Sequence, residues 1–263
     1  LPGVAEILTV TNRELLFKTK DEYREVNSMG LATSFILEPF GRNTAAAIAA
    51  AALHVSKTHG EEAIMLVLAA DHLIADQQAF SSAVSQATVL ARQQKLVTFG
   101  IQPDAPETGY GYLEVEGHDV LRFVEKPSQE KAREYMDSGR FLWNSGMFCF
   151  QAGAMLQALA AHCPEILSKT QKCVEQSRQV QGEGVIEQEL DAATFAEVPD
   201  DSIDYAVMER SAQVAVVPCS IGWSDIGSWS ALWEAGEKNS EGNLFKGDVL
   251  SENTSGSYVH ATH

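Results

Sequence analysis

An apolar run at Ile64–Ala70 is followed by two polar residues, Asp71 and His72. A run of this length between two helix-like segments is typical of a central parallel strand that is covered on both faces. Such a strand has no solvated face, so a charged side chain is expected only where the strand leaves the sheet. In open α/β sheets, ligands bind at this carboxyl edge. The pattern therefore predicts that Asp71 either faces a ligand or caps the next turn.

Strand-like and helix-like segments alternate on both sides of this run. The pattern predicts strands at 6–10, 33–37, 64–70 and 96–101, with helices after Asn12, at 45–57 and at 77–93. Each helix start offers capping side chains, which are Thr11 or Asn12, Asn43 or Thr44, and Asp76. The order β-α-β-α-β-α-β predicts a mainly parallel sheet with right-handed crossovers in an α/β fold.

The pattern changes after residue 101. It predicts short strands at 113–115, 120–125, 147–150 and 214–218, and helices after Ser128 and at 152–161, 164–177 and 202–209. A polar stretch at 179–184 predicts a mobile loop. From Asn243 onward the chain is rich in Gly, Ser and Asn and contains short β segments. We therefore divide the chain into a main domain at 1–240 and the start of a β-rich piece at 241–263.

Composition restricts the function classes. The 263 residues are 45% hydrophobic, which suffices for one large α/β domain. The net charge of −17 repels nucleic acid and anionic membranes, but it permits a nucleotide whose phosphates are neutralised locally. The four cysteines are widely spaced and no apolar run has membrane-spanning length, which predicts a cytoplasmic protein with reduced thiols. Because the chain begins at Leu1, we expect the true N-terminus to lie upstream.

Polar clusters occupy the strand ends and the turns between apolar segments. Each cluster alone is typical of a cap or a turn, but several of them would meet along one edge of one sheet. The clusters are Glu38–Thr44, Asp71-His72, Glu107–Tyr112, Glu125-Lys126 and Trp223–Gly227, together with Asn144.

These side chains have the chemistry that a phosphate reaction requires. Mg²⁺ prefers oxygen ligands and often takes only one or two protein carboxylates, which Asp71 and Asp225 would supply. Lys126 would neutralise a phosphate as a point charge. The pattern therefore predicts Asp71, Lys126 and Asp225 as catalytic residues, with the two aspartates as metal ligands.

The remaining clusters predict substrate contacts. Glu125 and Asn144 would bind sugar hydroxyls, and the backbone at Gly109, Tyr110 and Gly111 would approach the ligand closely. Glu38 would accept hydrogen bonds from the donor edge of guanine. The start of the helix at Gly41, Arg42, Asn43 and Thr44 would bind the neighbouring acceptor atoms of the base.

Eight strings of the sequence resemble one family, the bacterial mannose-1-phosphate guanylyltransferases, including the long form that is fused to a phosphomannose isomerase. The similarity extends over nearly the whole chain, in order. The strings lie at Glu38–Thr44, Ala69–His72, Thr98–Ile101, Pro106–Tyr112, Phe123–Pro127, Trp143–Phe148, Ser202–Glu209 and Gly222–Trp229.

The resemblance implies a Rossmann-like nucleotidyltransferase domain followed by the start of a left-handed parallel β-helix. It implies that GTP and α-D-mannose 1-phosphate give GDP-mannose and pyrophosphate with Mg²⁺, in a homodimer. By position, Asp71 and Asp225 would bind the metal and Lys126 the sugar phosphate. Glu125, Asn144 and the Gly109/Gly111 backbone would hold mannose, while Glu38 and the turn at 41–44 would lie at the guanine.

The chain departs from the family in lacking the N-terminal Gly-rich signature that grips the triphosphate. Since that signature belongs with the first strand of the sheet, its loss would leave a gap in the core, and we expect the signature to lie upstream of Leu1. Two alternatives remain open. One is a related nucleotidyltransferase that uses another base or sugar, and the other is an inactive regulatory protein that binds sugar nucleotides.

Overall fold

The computed structural model describes residues 1, 3–182 and 185–261. The α-helices in this part are α1 (Arg13–Val26), α2 (Asn43–His59), α3 (Gln77–Ala91), α4 (Gln129–Ser138), α5 (Ala152–His162), α6 (Pro164–Gln176), α7 (Ala192–Phe195) and α8 (Trp229–Ala235), and a π-helical turn spans Asp204–Met208. The strands are β1 (Glu6–Asn12), β2 (Ala32–Glu38), β3 (Ile64–Val67), β4 (Leu73–Ile74), β5 (Leu96–Ile101), β6 (Tyr112–Glu116), β7 (Asp119–Val124), β8 (Phe141–Gln151), β9 (Arg178–Gly182), β10 (Val185–Glu189), β11 (Val214–Cys219), β12 (Trp223–Ser224), β13 (Leu244–Lys246) and β14 (Tyr258–His260).

Two larger sheets form the frame of the fold. One has the strand order β1-β2-β10-β9, and the other has the order β3-β8-β5-β11-β7-β6. The predicted mainly parallel sheet is wrong, because the six-stranded sheet is mixed: β8 runs antiparallel to both β3 and β5. Cys149 in β8 lies opposite Leu66 on one side and Val97 on the other.

The apolar run that was predicted to be a central strand lies at an edge. Strand β3 ends at Val67 and pairs only with β8 among the described strands, and Leu68 is 45% exposed. The free edge of β1 is likewise unpaired in the described part of the chain. The run is apolar enough for a central position, but hydrophobicity does not determine which strand pairs with it.

Apolar side chains of successive strand residues point to opposite faces of the six-stranded sheet, so a hydrophobic core lies on each face. Phe148 and Phe150 of β8 pack with α2, α5 and α6 on one face. Met147 and Cys149 pack with α3 on the opposite face. Because successive side chains of a strand point to opposite faces, one strand supplies both cores, and the sheet forms the middle of three layers.

Local signals predicted most helix starts correctly. Asn12 caps α1 by accepting the N–H of Leu15, and Asp76 caps α3 by accepting the N–H of Ala79 at 2.8 Å. Ser128 caps α4, which ends at Gly139 with a left-handed φ of 66°. These predictions are confirmed because a cap depends only on residues within three positions of each other.

The polar stretch at 179–184 is not a loop in its described part. Residues 178–182 form β9, which pairs antiparallel with β10, while residues 183 and 184 lie outside the described residues. The sequence pattern did not predict this strand because most of its residues are polar. The β-rich piece predicted at 241–263 contains the parallel pair β13–β14, and residues 262 and 263 again lie outside the described residues. Among the described helices, none combines the length and apolar character needed to cross a membrane.

Helix α2 joins the two sheets through an alanine face. It contacts β1 and β3, and it also packs against α5 and α6. The fully buried alanines of this face are Ala45, Ala46, Ala49, Ala50 and Ala52. Small side chains let the helix lie close to its neighbours on several sides, so this core has little room for added atoms.

We expect Ala49→Leu to lower the free energy of unfolding by about 2 to 3 kcal/mol, because three added carbons would overpack a site with no exposed surface. Urea denaturation measures the change. The matched control is Lys57→Leu, which introduces the same side chain at an exposed position of α2. Equal stability of the two variants would contradict this account of the alanine face.

Candidate active site

The loops that carry Asp71 and Asp225 are joined by a short antiparallel ladder. Leu73 of β4 lies opposite Ser224 of β12, so Asp71, which precedes β4, and Asp225, which follows β12, flank the same end of the ladder. The indole N–H of Trp223 donates to Nδ1 of His72 at 3.1 Å and fixes this pairing. Asp71 and Ile226 both line a cavity of about 310 Å³ at that end. The ladder thus brings the loops of two residues more than 150 positions apart next to each other, and a metal shared by Asp71 and Asp225 stays a prediction.

Asp225 is held by two donors on a single oxygen. Its Oδ1 accepts the Tyr110 hydroxyl and the Gly227 N–H, each at 3.0 Å. The Tyr110 ring packs edge-on against Trp143 and Trp223. Burial and the neighbouring Asp225 carboxylate raise the pKa of Tyr110, so its hydroxyl stays protonated and remains a donor. The Tyr110 side chain therefore orients Asp225, and the contact of its backbone with a substrate stays a prediction.

The chemistry of this donor set fits Mg²⁺. Asp71 is exposed and Asp225 is partly exposed, and both offer hard oxygen donors. Within the described residues, no group of three or more His, Cys, Asp or Glu side chains is arranged around a metal position. In a usual Mg²⁺ site only one or two protein carboxylates bind, and substrate phosphates and water complete the shell.

Three segments converge at the predicted sugar site. The backbone N–H of Asn144 donates to the carbonyl of Gly111 at 2.8 Å, and that of Lys126 donates to the carbonyl of Tyr110 at 3.2 Å. The Lys126 Nζ lies 3.7 Å from a Glu125 carboxylate oxygen, and the Lys126 side chain is 65% exposed. The lysine has a positive φ of 44°, which turns the chain sharply after β7.

Gly111 lies where a side chain would meet the Glu125 carboxylate and the Phe123 ring. A Cβ at residue 111 would come within 2.6 Å of Glu125 Oε2. A Cβ at residue 109, in contrast, would meet nothing within 4 Å. Of the two glycines that were predicted to permit close approach, residue 111 is therefore closely packed and residue 109 is open.

We expect Gly111→Ala to raise the KM for the sugar phosphate about tenfold, because the new methyl group displaces the Glu125 carboxylate. The end of a glutamate side chain moves easily, so the melting temperature should change by only a few degrees. Steady-state kinetics with each substrate varied in turn measures the effect, and the KM for the nucleotide serves as internal control. A large loss of stability without a change in either KM would contradict the assignment.

Sequence reasoning missed Asp204. Its Oδ1 accepts the side-chain N–H of Asn144 at 2.9 Å. Burial and the nearby Glu125 charge raise the pKa of Asp204, while the Asn144 bond acts in the opposite direction. The available signal was a single acidic residue in the otherwise apolar helical string Ser202–Met208. That string was recognised, but no role was given to any of its side chains.

The turn at Glu38–Thr44 differs from the predicted helix cap. Arg42 is the capping residue of α2 and makes no side-chain cap bond, while Asn43 has a φ of 61°. Thr44 Oγ1 instead accepts the backbone N–H of Ile203 at 2.9 Å. Arg42 donates to the carbonyl of Ala196 at 2.7 Å, so its guanidinium is directed at the protein. The cap prediction is wrong because a residue 159 positions away captures the threonine hydroxyl.

Glu38 is partly buried, and one of its two carboxylate oxygens lacks a donor among the described residues. Its Oε1 is enclosed and has no hydrogen-bond partner among the described residues. Burial raises the pKa of Glu38 from 4.5 to about 7. An unsatisfied buried acceptor is costly and is expected only where something else, such as a ligand, supplies the donor.

Direct contacts link all five predicted clusters into one region. Thr44 bonds Ile203, whose neighbour Asp204 bonds Asn144, and Asn144 bonds Gly111. From there, Tyr110 bonds Asp225, which directly follows β12, and β12 pairs with β4, the strand after Asp71. Lys126 and Glu125 attach through Tyr110 and Gly111. The prediction that separate polar turns gather around one site therefore agrees with these contacts.

A family model described as nucleotidyl transferase matches residues 1–242. The chain belongs to the nucleotidyl transferase family. It is 44% identical to mannose-1-phosphate guanylyltransferase from Escherichia coli K12, over 97% of this chain and 54% of that protein. It is 42% identical to the alginate biosynthesis protein AlgA of Pseudomonas syringae, over 98% of this chain and 54% of that protein. The chain thus spans about half the length of the curated relatives it matches.

Two solved structures have a fold similar to that of this chain. A structure described as mannose-1-phosphate geranyltransferase from Thermus thermophilus matches with a TM-score of 0.73 and 29% identity, over 92% of this chain and 67% of that chain. A structure described as mannose-6-phosphate isomerase from Helicobacter pylori matches with a TM-score of 0.79 and 38% identity, over 84% of this chain and 85% of that chain. The nucleotidyltransferase-type α/β fold and the resemblance to mannose-1-phosphate guanylyltransferases are confirmed.

Proposed function

We propose that the protein transfers GMP from GTP to α-D-mannose 1-phosphate, giving GDP-mannose and pyrophosphate. The observation that carries this proposal is the series of contacts that joins Thr44, Asn144, Gly111 and Asp225, in a chain 44% identical to a mannose-1-phosphate guanylyltransferase. Those contacts bring groups suited to a base, a sugar and a metal into one region.

In this reaction a phosphate oxygen of mannose 1-phosphate forms a bond to the α-phosphorus of GTP. The bond from that phosphorus to the bridging oxygen of pyrophosphate breaks, and pyrophosphate leaves with the electron pair. The attacking oxygen is already an anion, so the protein needs no nucleophile of its own. The barrier consists of repulsion between two anions and their alignment, so positioning and charge neutralisation are the expected sources of rate.

Each residue has a defined part in this scheme. Asp71 and Asp225 would hold Mg²⁺, which when bound supplies the positive charge that offsets the phosphates. Lys126, exposed at the turn after β7, would neutralise the sugar phosphate. Glu125 and Asn144 would bind mannose hydroxyls, and Glu38 would accept the donor edge of guanine.

Further features of the whole protein belong to the same proposal. We assign residues 1–240 to the catalytic domain and 241–263 to the start of a left-handed β-helix, which the parallel pair β13–β14 supports. The family resemblance supports a homodimer, which light scattering tests. The free thiols at Cys149, Cys163, Cys173 and Cys219 support a cytoplasmic location.

The test is pyrophosphate release by the whole protein from GTP and mannose 1-phosphate, with and without Mg²⁺. Parallel reactions with ATP, UTP and dTTP, and with glucose 1-phosphate, determine the base and sugar preference. We expect Mg²⁺-dependent release that is fastest with GTP and mannose 1-phosphate. Faster release with another nucleotide would indicate a related transferase, and binding of GDP-mannose without any turnover would indicate a regulatory protein.

A further inference from the structure

The side-chain amide of Asn144 is held from both sides by the protein. Thr98 Oγ1 donates to its Oδ1 at 2.8 Å, and the backbone N–H of Gly146 approaches the same oxygen at 3.4 Å. On the other side, Asn144 Nδ2 donates to Asp204 Oδ1 at 2.9 Å. Because the Gly146 N–H can only donate, the amide oxygen must face Gly146 and the amide nitrogen must face Asp204, and this decides the orientation of the amide.

This arrangement limits what Asn144 can offer a ligand. Its carbonyl oxygen already accepts from two donors, the Thr98 hydroxyl and the Gly146 N–H. One of its two N–H bonds is directed to Asp204, so one N–H donor remains. Asn144 can therefore recognise an acceptor atom of the ligand, which is more specific than the general sugar contact predicted from the sequence.

Glu125 supplies the complementary property in the same place. Its carboxylate lies against Gly111, whose carbonyl accepts the Asn144 backbone N–H at 2.8 Å, and its negative charge acts on Asp204. A carboxylate accepts and the free Asn144 N–H donates. A sugar hydroxyl can satisfy both at once, since it donates its proton to one and accepts through its oxygen from the other.

We propose that Asp204 is a positioning residue for sugar recognition, which fixes the Asn144 amide so that its remaining N–H and the Glu125 carboxylate together bind a sugar hydroxyl. The inference rests on the proposed function and deepens it by stating which group of the sugar site donates a hydrogen bond and which group accepts one. Asp204 acts through Asn144.

The fold holds Asp204 firmly enough for this role. It begins the π-helical turn Asp204–Met208, and π-helical turns frequently occur at functional sites. The turn is anchored to the start of α2 by the bond from the Ile203 N–H to Thr44 Oγ1 and by the bond from the Ala45 N–H to the Asp201 carbonyl at 3.2 Å. Three side chains of the turn, Ala206, Val207 and Met208, are buried in the core.

The first test removes and then restores the acceptor. We expect Asp204→Ala to raise the KM for mannose 1-phosphate about tenfold, the loss typical of one well-placed hydrogen bond, with the KM for GTP unchanged. Asp204→Asn keeps an acceptor oxygen in the same place and should restore the sugar-phosphate KM to within about threefold of the parent. An unchanged KM for mannose 1-phosphate in a folded Asp204→Ala protein, or failure of Asp204→Asn to restore it, would overturn the proposal.

The second test acts on the opposite side of the amide and leaves Asp204 intact. Thr98 is 1% exposed, so Thr98→Val keeps its shape but removes the donor to Asn144 Oδ1. We expect the same selective rise in the KM for mannose 1-phosphate, and we expect Thr98→Ser, which retains the hydroxyl, to behave like the parent. A rise in both KM values to the same extent would indicate a general structural effect and would overturn the proposal.

A matched control separates local from long-range charge effects. Asp200→Asn removes one negative charge from an exposed position four residues before Asp204 and should leave both KM values unchanged. GDP-mannose formation by the parent protein tests the proposed function independently of the positioning role. If the parent forms no GDP-mannose, the proposed function fails; if the parent and Asp200→Asn are active and Asp204→Ala matches them in both KM values, only the positioning role fails.

Discussion

Asp225→Asn is expected to lower kcat about 100- to 1,000-fold while the protein folds normally. The amide of asparagine retains an oxygen that can accept the Tyr110 hydroxyl and the Gly227 N–H, both of which bond Oδ1 at 3.0 Å in the parent. Shape and local hydrogen bonds are thus preserved, and the substitution removes only the negative charge and part of the affinity for a divalent cation. Pyrophosphate release at saturating substrates measures the loss, and thermal melting checks the fold.

Asp71, the other proposed metal ligand, provides a second test of this prediction. If Asp71 and Asp225 act on one ion, Asp71→Asn should cause a comparable loss, and the double variant should lose little more than either single variant. Asp119→Asn, which changes the same charge at the exposed start of β7, is the control and should behave like the parent. Turnover by Asp225→Asn close to that of the parent, or losses that multiply in the double variant, would refute the shared-metal assignment.

What the sequence predicted well depends on residues that are near each other in the chain. The caps Asn12, Asp76 and Ser128 were predicted correctly because each acts on a backbone N–H three positions later. The positions of the polar turns were also predicted correctly, since apolar runs end where strands leave a core. Local chemistry therefore gave most of the helix starts and the positions of the polar turns.

What the sequence missed depends on residues that are far apart. Strand β3 was expected at the centre of a parallel sheet, but its neighbour β8 comes more than 70 residues later and runs antiparallel to it. The helix start at Thr44 was misread because its hydroxyl accepts the N–H of Ile203. The role of Asp204 depends on Asn144, 60 positions earlier. No local pattern contains these pairings, so they emerge only from the folded chain.

The guanine assignment leads to the second large effect, which combines specificity with pH. Glu38 Oε1 is buried without a partner among the described residues, and burial raises the pKa of Glu38 to about 7. Guanine offers two neighbouring N–H donors, whereas adenine presents an acceptor at the corresponding ring position. We expect Glu38→Gln to lower kcat/KM for GTP about 100-fold, as for the loss of a charge-assisted hydrogen bond, and to affect the slow reaction with ATP far less.

The sign of the pH effect follows from the raised pKa. In the free protein Glu38 gains a proton as the pH falls through 7, and the protonated carboxyl accepts the guanine donors less well. We therefore expect the KM for GTP to rise below about pH 7 in the parent and to lose this dependence in Glu38→Gln. A KM for GTP that has the same pH profile in both proteins would show that Glu38 does not contact the base.

The thermal stability of the nucleotide-free protein should rise in Glu38→Gln, whereas its activity with GTP should fall. Because the pKa of Glu38 is 4.5 ordinarily and about 7 in the fold, its ionisation opposes folding: the cost is absent below about pH 4.5, grows between pH 4.5 and 7, and is complete above pH 7. Glu38→Gln should therefore melt at a higher temperature than the parent at pH 8, with a smaller difference at pH 5. A variant that loses GTP selectivity and gains stability at high pH would show two things about Glu38. Its carboxylate accepts hydrogen bonds from the base, and its buried charge lowers the stability of the nucleotide-free protein. Loss of both stability and selectivity at pH 8 would instead mean that Glu38 is a structural residue whose removal damages the turn.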